Sequence, residues 1–132
     1  MASVKLATAA DVLRVVDMVE ALREAVSGPV AVDRSWTART IASLIASPDG
    51  AVWLSDAGFI AGCLQPTIIS PAIVAQEMGW FATDRSGLQL LRAFEGWARE
   101  RGATLIQLST GPTGPDLTRL GYRRAEQAWI KT

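Results

Sequence analysis

The sequence predicts a mixed α/β domain, one sheet with helices packed against it, on three observations. Apolar side chains recur at helical spacing in three segments, short apolar runs bounded by turn residues lie between them, and 132 residues suit a single domain spanning 1–132. With 49% hydrophobic and 20% charged residues, the chain can build a packed core and lacks the composition of a disordered tail. The expected order is β-α-α-β-β-β-α-β-α-β, without internal repeats.

Residues 4–6 suit a short strand. Thr8 to Asp11 then offers capping oxygens ahead of a helix carrying Val12, Val15, Val16, Val19, Leu22 and Val26 on one side. Gly28-Pro29 ends it. A second helix starts near Ser35, sets Ile41, Leu44 and Ile45 on one face, and stops at Ser47-Pro48-Asp49-Gly50. Residues 51–55 and 59–64 are apolar runs joined through Asp56-Ala57-Gly58, the pattern of an antiparallel hairpin. A longer strand over 73–81 should place Ile73, Ala75, Glu77, Gly79 and Phe81 on one face and Val74, Gln76, Met78 and Trp80 on the other. Thr83-Asp84-Arg85-Ser86-Gly87 opens onto an amphipathic helix with Leu90, Leu91, Phe94, Trp97 and Ala98 inward, closed by Gly102. A strand over 103–109, a Gly-Pro-Thr-Gly-Pro loop, a short helix over 116–120 and a strand over 122–130 complete the order.

Histidine is absent, which removes Ser-His-Asp and Cys-His triads and every histidine-ligated metal site, and no metal is expected. Cys63 lies in an apolar run, where a small core residue is a better reading than a nucleophile. Thirteen basic and thirteen acidic residues cancel, so nucleic acid is disfavoured as an electrostatic partner. The first residues lack the apolar segment of a signal peptide, and no stretch has the roughly 18 apolar residues of a membrane span; a cytoplasmic protein without membrane contact is the expectation.

Residues 77–91 are the most informative. A strand that runs into a small polar loop and then a helix collects free backbone N–H groups at the helix N-terminus, a place that attracts phosphate, although many such turns only reverse the chain.

The blocks Glu77-Met78-Gly79-Trp80-Phe81, residues 86–103 from Ser86-Gly87-Leu88-Gln89-Leu90-Leu91 onward, and Leu120-Gly121-Tyr122-Arg123-Arg124-Ala125-Glu126 make the chain resemble a GCN5-related N-acetyltransferase (GNAT) from Lys5 to Lys131, closest to small acetyltransferase-like proteins of bacteriophages. The resemblance implies a mostly antiparallel central sheet with helices on both faces. It implies acetyl-CoA as cofactor, with the pantetheine arm against Trp80, Phe81 and Ala82 and the pyrophosphate at Arg85, Ser86, Gly87, Leu88 and Gln89. It implies transfer of acetyl to a primary amine, of a small molecule or a peptide, by direct attack.

Direct attack needs a deprotonated amine, and Glu77 is the candidate general base; the other reading has it bracing the parted strands. Ser109 and Thr110 are candidates to bond the pantetheine or a water, or else a plain strand-end turn. Trp36 would wall the acceptor cleft or simply pack. Two departures from the family pattern stand out: Arg85 takes the place of the loop's earlier glycine, and Leu117 that of a tyrosine acid. Tyr122 reads as a core aromatic. These departures motivate a second reading, a catalytically silent CoA-binding or protein-interaction module. A homodimer through the sheet edge or the first helices is left open.

Overall fold

Strict alternation on both sides of a two-residue turn builds the centre of the sheet. The computed structural model describes residues 3–132. Strands β1 (Lys5–Leu6), β2 (Gly50–Ser55), β3 (Gly58–Pro66), β4 (Ile73–Ala82) and β5 (Leu105–Gln107) lie side by side in chain order, antiparallel except for the parallel pair β4–β5. Helices α1 (Val12–Ala25) and α2 (Arg34–Ala46) follow β1, and α3 (Gly87–Glu100) links β4 to β5. This is the expected class, and the helices fall on both faces.

Parity along β2 and β3 separates two cores. Val52, Leu54, Phe59 and Ala61 pack with Val15 of α1 and Ile41 of α2. On the other side Ile60 packs with Leu90, Leu91, Phe94 and Ala98 of α3, with Trp53, Leu64 and Trp80 against them. The first helix starts on the expected residues, whereas α2 starts at Arg34 on a cap, Asp33, that lies ahead of the start expected near Ser35. Asp11 accepts the Thr8 N–H at 2.8 Å and closes a 3-10 turn (Ala9–Asp11) ahead of α1, while Asp33 caps α2 through the Trp36 N–H at 3.0 Å. Gly62 is required by close packing: a Cβ there would lie 2.4 Å from the Phe94 ring and 2.6 Å from the Gln76 carbonyl oxygen.

Three expectations are corrected. Strict alternation in β4 fails because Ala61 pairs with Gly79 and Gly62 with Glu77, leaving Met78 as an extra residue. Ala75 therefore packs on the α3 side and Phe81 on the α1/α2 side, although both were expected on one face. The helix over 116–120 is a single 3-10 turn, Thr118–Leu120, ended by Gly121 at φ 91°. Residues 122–130 form no strand: their apolar side chains, Tyr122, Ala125, Ala128, Trp129 and Ile130, do not alternate, and no neighbouring strand bonds to them.

Candidate functional site

Two features of β4 meet near Glu77. On one side the strand is bonded to β3 over nine pairs from Gly58↔Ala82 to Pro66↔Ile73. On the other it is bonded to β5 at Val74↔Leu105, Ala75↔Ile106 and Gln76↔Gln107, and there the ladder stops. From Glu77 to Ala82 the edge that faced β5 has no strand beside it, and the bulge at Met78 sits where the two strands part.

Glu77 spans the parting. Its Oε1 accepts the Ser109 N–H at 3.0 Å, two residues past the end of β5, and the side chain is buried at 8% exposure. Burial pushes the carboxyl above its ordinary value, and the Ser109 N–H pulls it back in part. Oε2 has no hydrogen-bond partner among the described residues. Ser109 thus meets Glu77 through its backbone, and it is exposed.

Beyond β4 the loop is held by its own side chains. The Thr83 N–H donates to the Ala57 carbonyl at 2.9 Å. Asp84 accepts from the Ser86 hydroxyl and from the Ser86 N–H at 2.9 Å, and these bonds hold its carboxyl below the usual range. The Ser86 hydroxyl, fully buried, also lies 2.7 Å from that of Ser55. The Trp80 indole N–H donates to the Gly87 carbonyl at 3.1 Å, tying the strand to the first turn of α3. The Leu90 N–H takes the Ser86 carbonyl, so the N–H groups of Gly87, Leu88 and Gln89 are the turn's free donors.

Of the remaining residues singled out in the sequence, Phe81 packs toward α1 and Ala82 toward α3. Arg85 is exposed and forms no ion pair among the described residues; Leu88 is exposed, and the partly buried Gln89 has a side-chain oxygen without a donor. Trp36, 65% exposed, walls a groove of about 460 Å³ with Leu22, Val26, Val30 and Val32. Leu22 connects that groove to β4, lying 3.7 Å from where a Gly79 Cβ would stand. Cys63 is half-buried and burial raises its thiol pKa, which disfavours the nucleophilic thiolate.

Sequence reasoning missed Glu95. It is 3% exposed on the inner stripe of α3, where its Oε2 accepts the Tyr122 hydroxyl at 2.6 Å and its Oε1 pairs with Arg92 at 3.0 Å. The signal was there: Glu95 follows Leu91 by four residues and precedes Ala98 by three, a carboxylate inside an apolar stripe. Burial, then the bond to Glu95, drives the Tyr122 hydroxyl pKa upward, so Tyr122 remains a donor.

No protein-family model matches the sequence, and no curated protein does. Solved structures do. A predicted acetyltransferase with acetyl-CoA from Clostridium acetobutylicum superposes with a TM-score of 0.81 at 16% identity, covering 100% of this chain and 96% of that one. A GNAT family acetyltransferase from Staphylococcus aureus gives 0.70 at 13% identity, covering 99% and 98%. The fold is that of the GNAT acetyltransferases. A transcriptional regulator from Bacillus halodurans shares it with a TM-score of 0.78 at 19% identity, covering 100% and 99%. At such identities the GNAT likeness carries the fold, and chemistry has to be argued from the site. Among the described residues, no helix is long and apolar enough to cross a membrane, and no cluster of acidic or Cys side chains has a metal-site arrangement.

Proposed function

We propose that the chain transfers the acetyl group of acetyl-CoA to a primary amine by direct attack, at the parting of β4 and β5. The observation that carries this is the unpaired edge of β4 from Glu77 to Ala82, which leads into the free N–H groups of Gly87, Leu88 and Gln89. An extended chain of amides such as pantetheine finds backbone partners along such an edge, and a pyrophosphate finds donors and a favourable dipole at the start of α3, with Arg85 beside it. The GNAT fold supports the same placement.

In this reading Glu77 does two things with two oxygens. Oε1 holds the Ser109 N–H and fixes the width of the parting, while Oε2 takes a proton from the acceptor ammonium, directly or through one water. A carboxylate whose pKa is raised by burial is a stronger base than an exposed one. The amine nitrogen then forms a bond to the thioester carbonyl carbon, the C–S bond breaks, and the CoA thiolate leaves. The proton given up by the nitrogen neutralises that thiolate through solvent, because Leu117 stands where a tyrosine acid would serve. The acceptor approaches along the groove beneath Trp36, whose inner wall Leu22 touches β4 at Gly79.

The test is thiol release from acetyl-CoA across a panel of amines, followed against pH. Glu77→Gln keeps an acceptor for the Ser109 N–H and loses the base, so kcat should fall by about 100-fold or more and the acidic limb of the pH profile should vanish. Glu77→Ala removes both roles and should also lower the melting temperature. A Glu77→Gln protein that acetylates at the parental rate would end the base assignment. Rapid turnover of simple polyamines or free lysine would contradict the solvent-protonated leaving group, which calls for a slow reaction or a specific acceptor.

A further inference from the structure

Two serines far apart in the chain meet behind the loop that opens α3. Ser55, at the end of β2, and Ser86, at the start of α3, are 4% and 0% exposed, and their hydroxyls lie 2.7 Å apart. Burying two hydroxyls costs stability unless each finds a partner, so the pair is held in place by what it bonds. Counting protons fixes its direction. The Asp84 carboxyl, kept below the usual range by its bonds to Ser86, is ionised at neutral pH and only accepts, so the single proton of the Ser86 hydroxyl goes to it. The Ser55 hydroxyl is then the donor to Ser86, its other acceptor, the Gly58 carbonyl, lying farther off at 3.4 Å.

Ser86 has no group left for a ligand. Its N–H donates to Asp84 at 2.9 Å and its carbonyl takes the Leu90 N–H at 2.9 Å, so what Ser86 controls is where the first turn of α3 stands. The turn after β2 gives it a firm base. Arg14 of α1 donates to the Ser55 and Asp56 carbonyls at 2.7 and 2.8 Å, and the Thr83 N–H donates to the Ala57 carbonyl at 2.9 Å. The loop from Thr83 to Ser86 is therefore joined to that turn at its first residue by a backbone bond and at its last by the Ser55 hydroxyl.

We propose that Ser55 is a positioning residue for acetyl-CoA, a role that rests on the pyrophosphate site proposed above: acting through Ser86, it holds the first turn of α3 so that the N–H groups of Gly87, Leu88 and Gln89 converge before the anion arrives. Donors that are already fixed need no ordering on binding, and affinity is gained without a new contact. Ser55 itself, buried behind the loop, does not touch the ligand. Ser55→Ala removes one oxygen, leaves both Ser86 bonds to Asp84 in place, and frees the loop only at its helix end.

Isothermal titration with acetyl-CoA of the parent, Ser55→Ala, Ser86→Ala and the double variant tests this, each protein first shown to be folded by urea unfolding. Ser55→Ala should weaken binding by about fivefold. In the Ser86→Ala background the same change should have no further effect, because Ser55 has lost the residue it acts through. Ile41→Val, a truncation in the core between α2 and the sheet, should lower the urea midpoint and bind as the parent does, which separates positioning from a general loosening of the fold. A Ser55→Ala protein that binds like a binding-competent parent would overturn the proposal and leave the pyrophosphate site standing. An equal loss in the Ser86→Ala background, or a matching loss in Ile41→Val, would overturn it too. A parent that gives no heat removes the pyrophosphate site and this role with it.

Discussion

The two edges of β4 differ more than any other pair of regions in the molecule. One is bonded to β3 over nine pairs and buried between the two cores; the other is bonded to β5 over three pairs and then left bare beside a loop and a helix N-terminus. The residues are the same, so composition cannot explain the difference. What separates the edges is the neighbour: β3 runs the full length of β4, whereas β5 stops at Gln107 and turns away with Glu77 holding the Ser109 N–H across the gap. A bonded edge stabilises the fold, while a bare one keeps backbone donors and acceptors for a ligand.

The largest effect is expected from breaking the bonded edge. Gly62→Val would push a side chain into the Phe94 ring and the Gln76 carbonyl, at 2.4 and 2.6 Å from the Cβ position. Because one obstacle is backbone and cannot rotate away, the variant should lose about 3 kcal/mol or more in urea unfolding, at the upper end of overpacking costs.

Next comes the clasp that ties the segment after the 3-10 turn Thr118–Leu120 to α3. Tyr122→Phe deletes the donor to Glu95 and leaves a buried carboxylate oxygen with one partner fewer. A loss of about 1–3 kcal/mol in the same experiment is expected, and an unchanged midpoint would show that Arg92 and water satisfy Glu95 without it.

A smaller effect concerns Asp84, a negative charge in the loop that precedes α3. Asp84→Asn keeps an oxygen for the Ser86 N–H and removes the charge, so acetyl-CoA should bind a few-fold more tightly, and the gain should shrink as salt is raised. Tighter binding that does not respond to salt would place the origin elsewhere than charge.

The smallest is a pH effect. The folded-state pKa of Glu77 lies above its ordinary value of 4.5, so folding favours the protonated form. The associated stabilisation is full below the unfolded-state pKa and is lost as pH rises through the folded-state pKa. Glu77→Gln should therefore melt slightly above the parent at pH 7, with the advantage gone once the pH falls below 4.5. A variant that melts lower at every pH would mean that the carboxylate's charge strengthens the Ser109 bond by more than burial costs it.

Much of the fold was legible because its signals are local. Helical spacing marked α1 and α3, proline and glycine marked their ends, and Asp56-Ala57 between two apolar runs marked the hairpin. The bulge at Met78 was not legible: apolar and small residues stand on both parities of β4, so an inserted residue leaves no trace in the alternation. The absent final strand illustrates a different limit, since residues 122–130 have apolar side chains at 122, 125 and 128–130 without two-residue alternation, and strand pairing depends on a neighbour that the local sequence does not specify. For Glu77 both readings were open, and the structure supplies the contact of the brace while leaving Oε2 for the base.

Isothermal titration of the parent chain and of Gly87→Val with acetyl-CoA tests the central claim most directly. A Cβ at position 87 meets its nearest neighbours, Ala82 Cβ and the Trp80 ring, at 3.8 to 4.0 Å, so that position is free of a steric clash at Cβ, while the added side chain crowds the approach to the Gly87 and Leu88 N–H groups. The account predicts micromolar binding by the parent and at least a tenfold loss, about 1.4 kcal/mol, in the folded variant. A parent that gives no heat with acetyl-CoA, or a folded Gly87→Val that binds as the parent does, would contradict it.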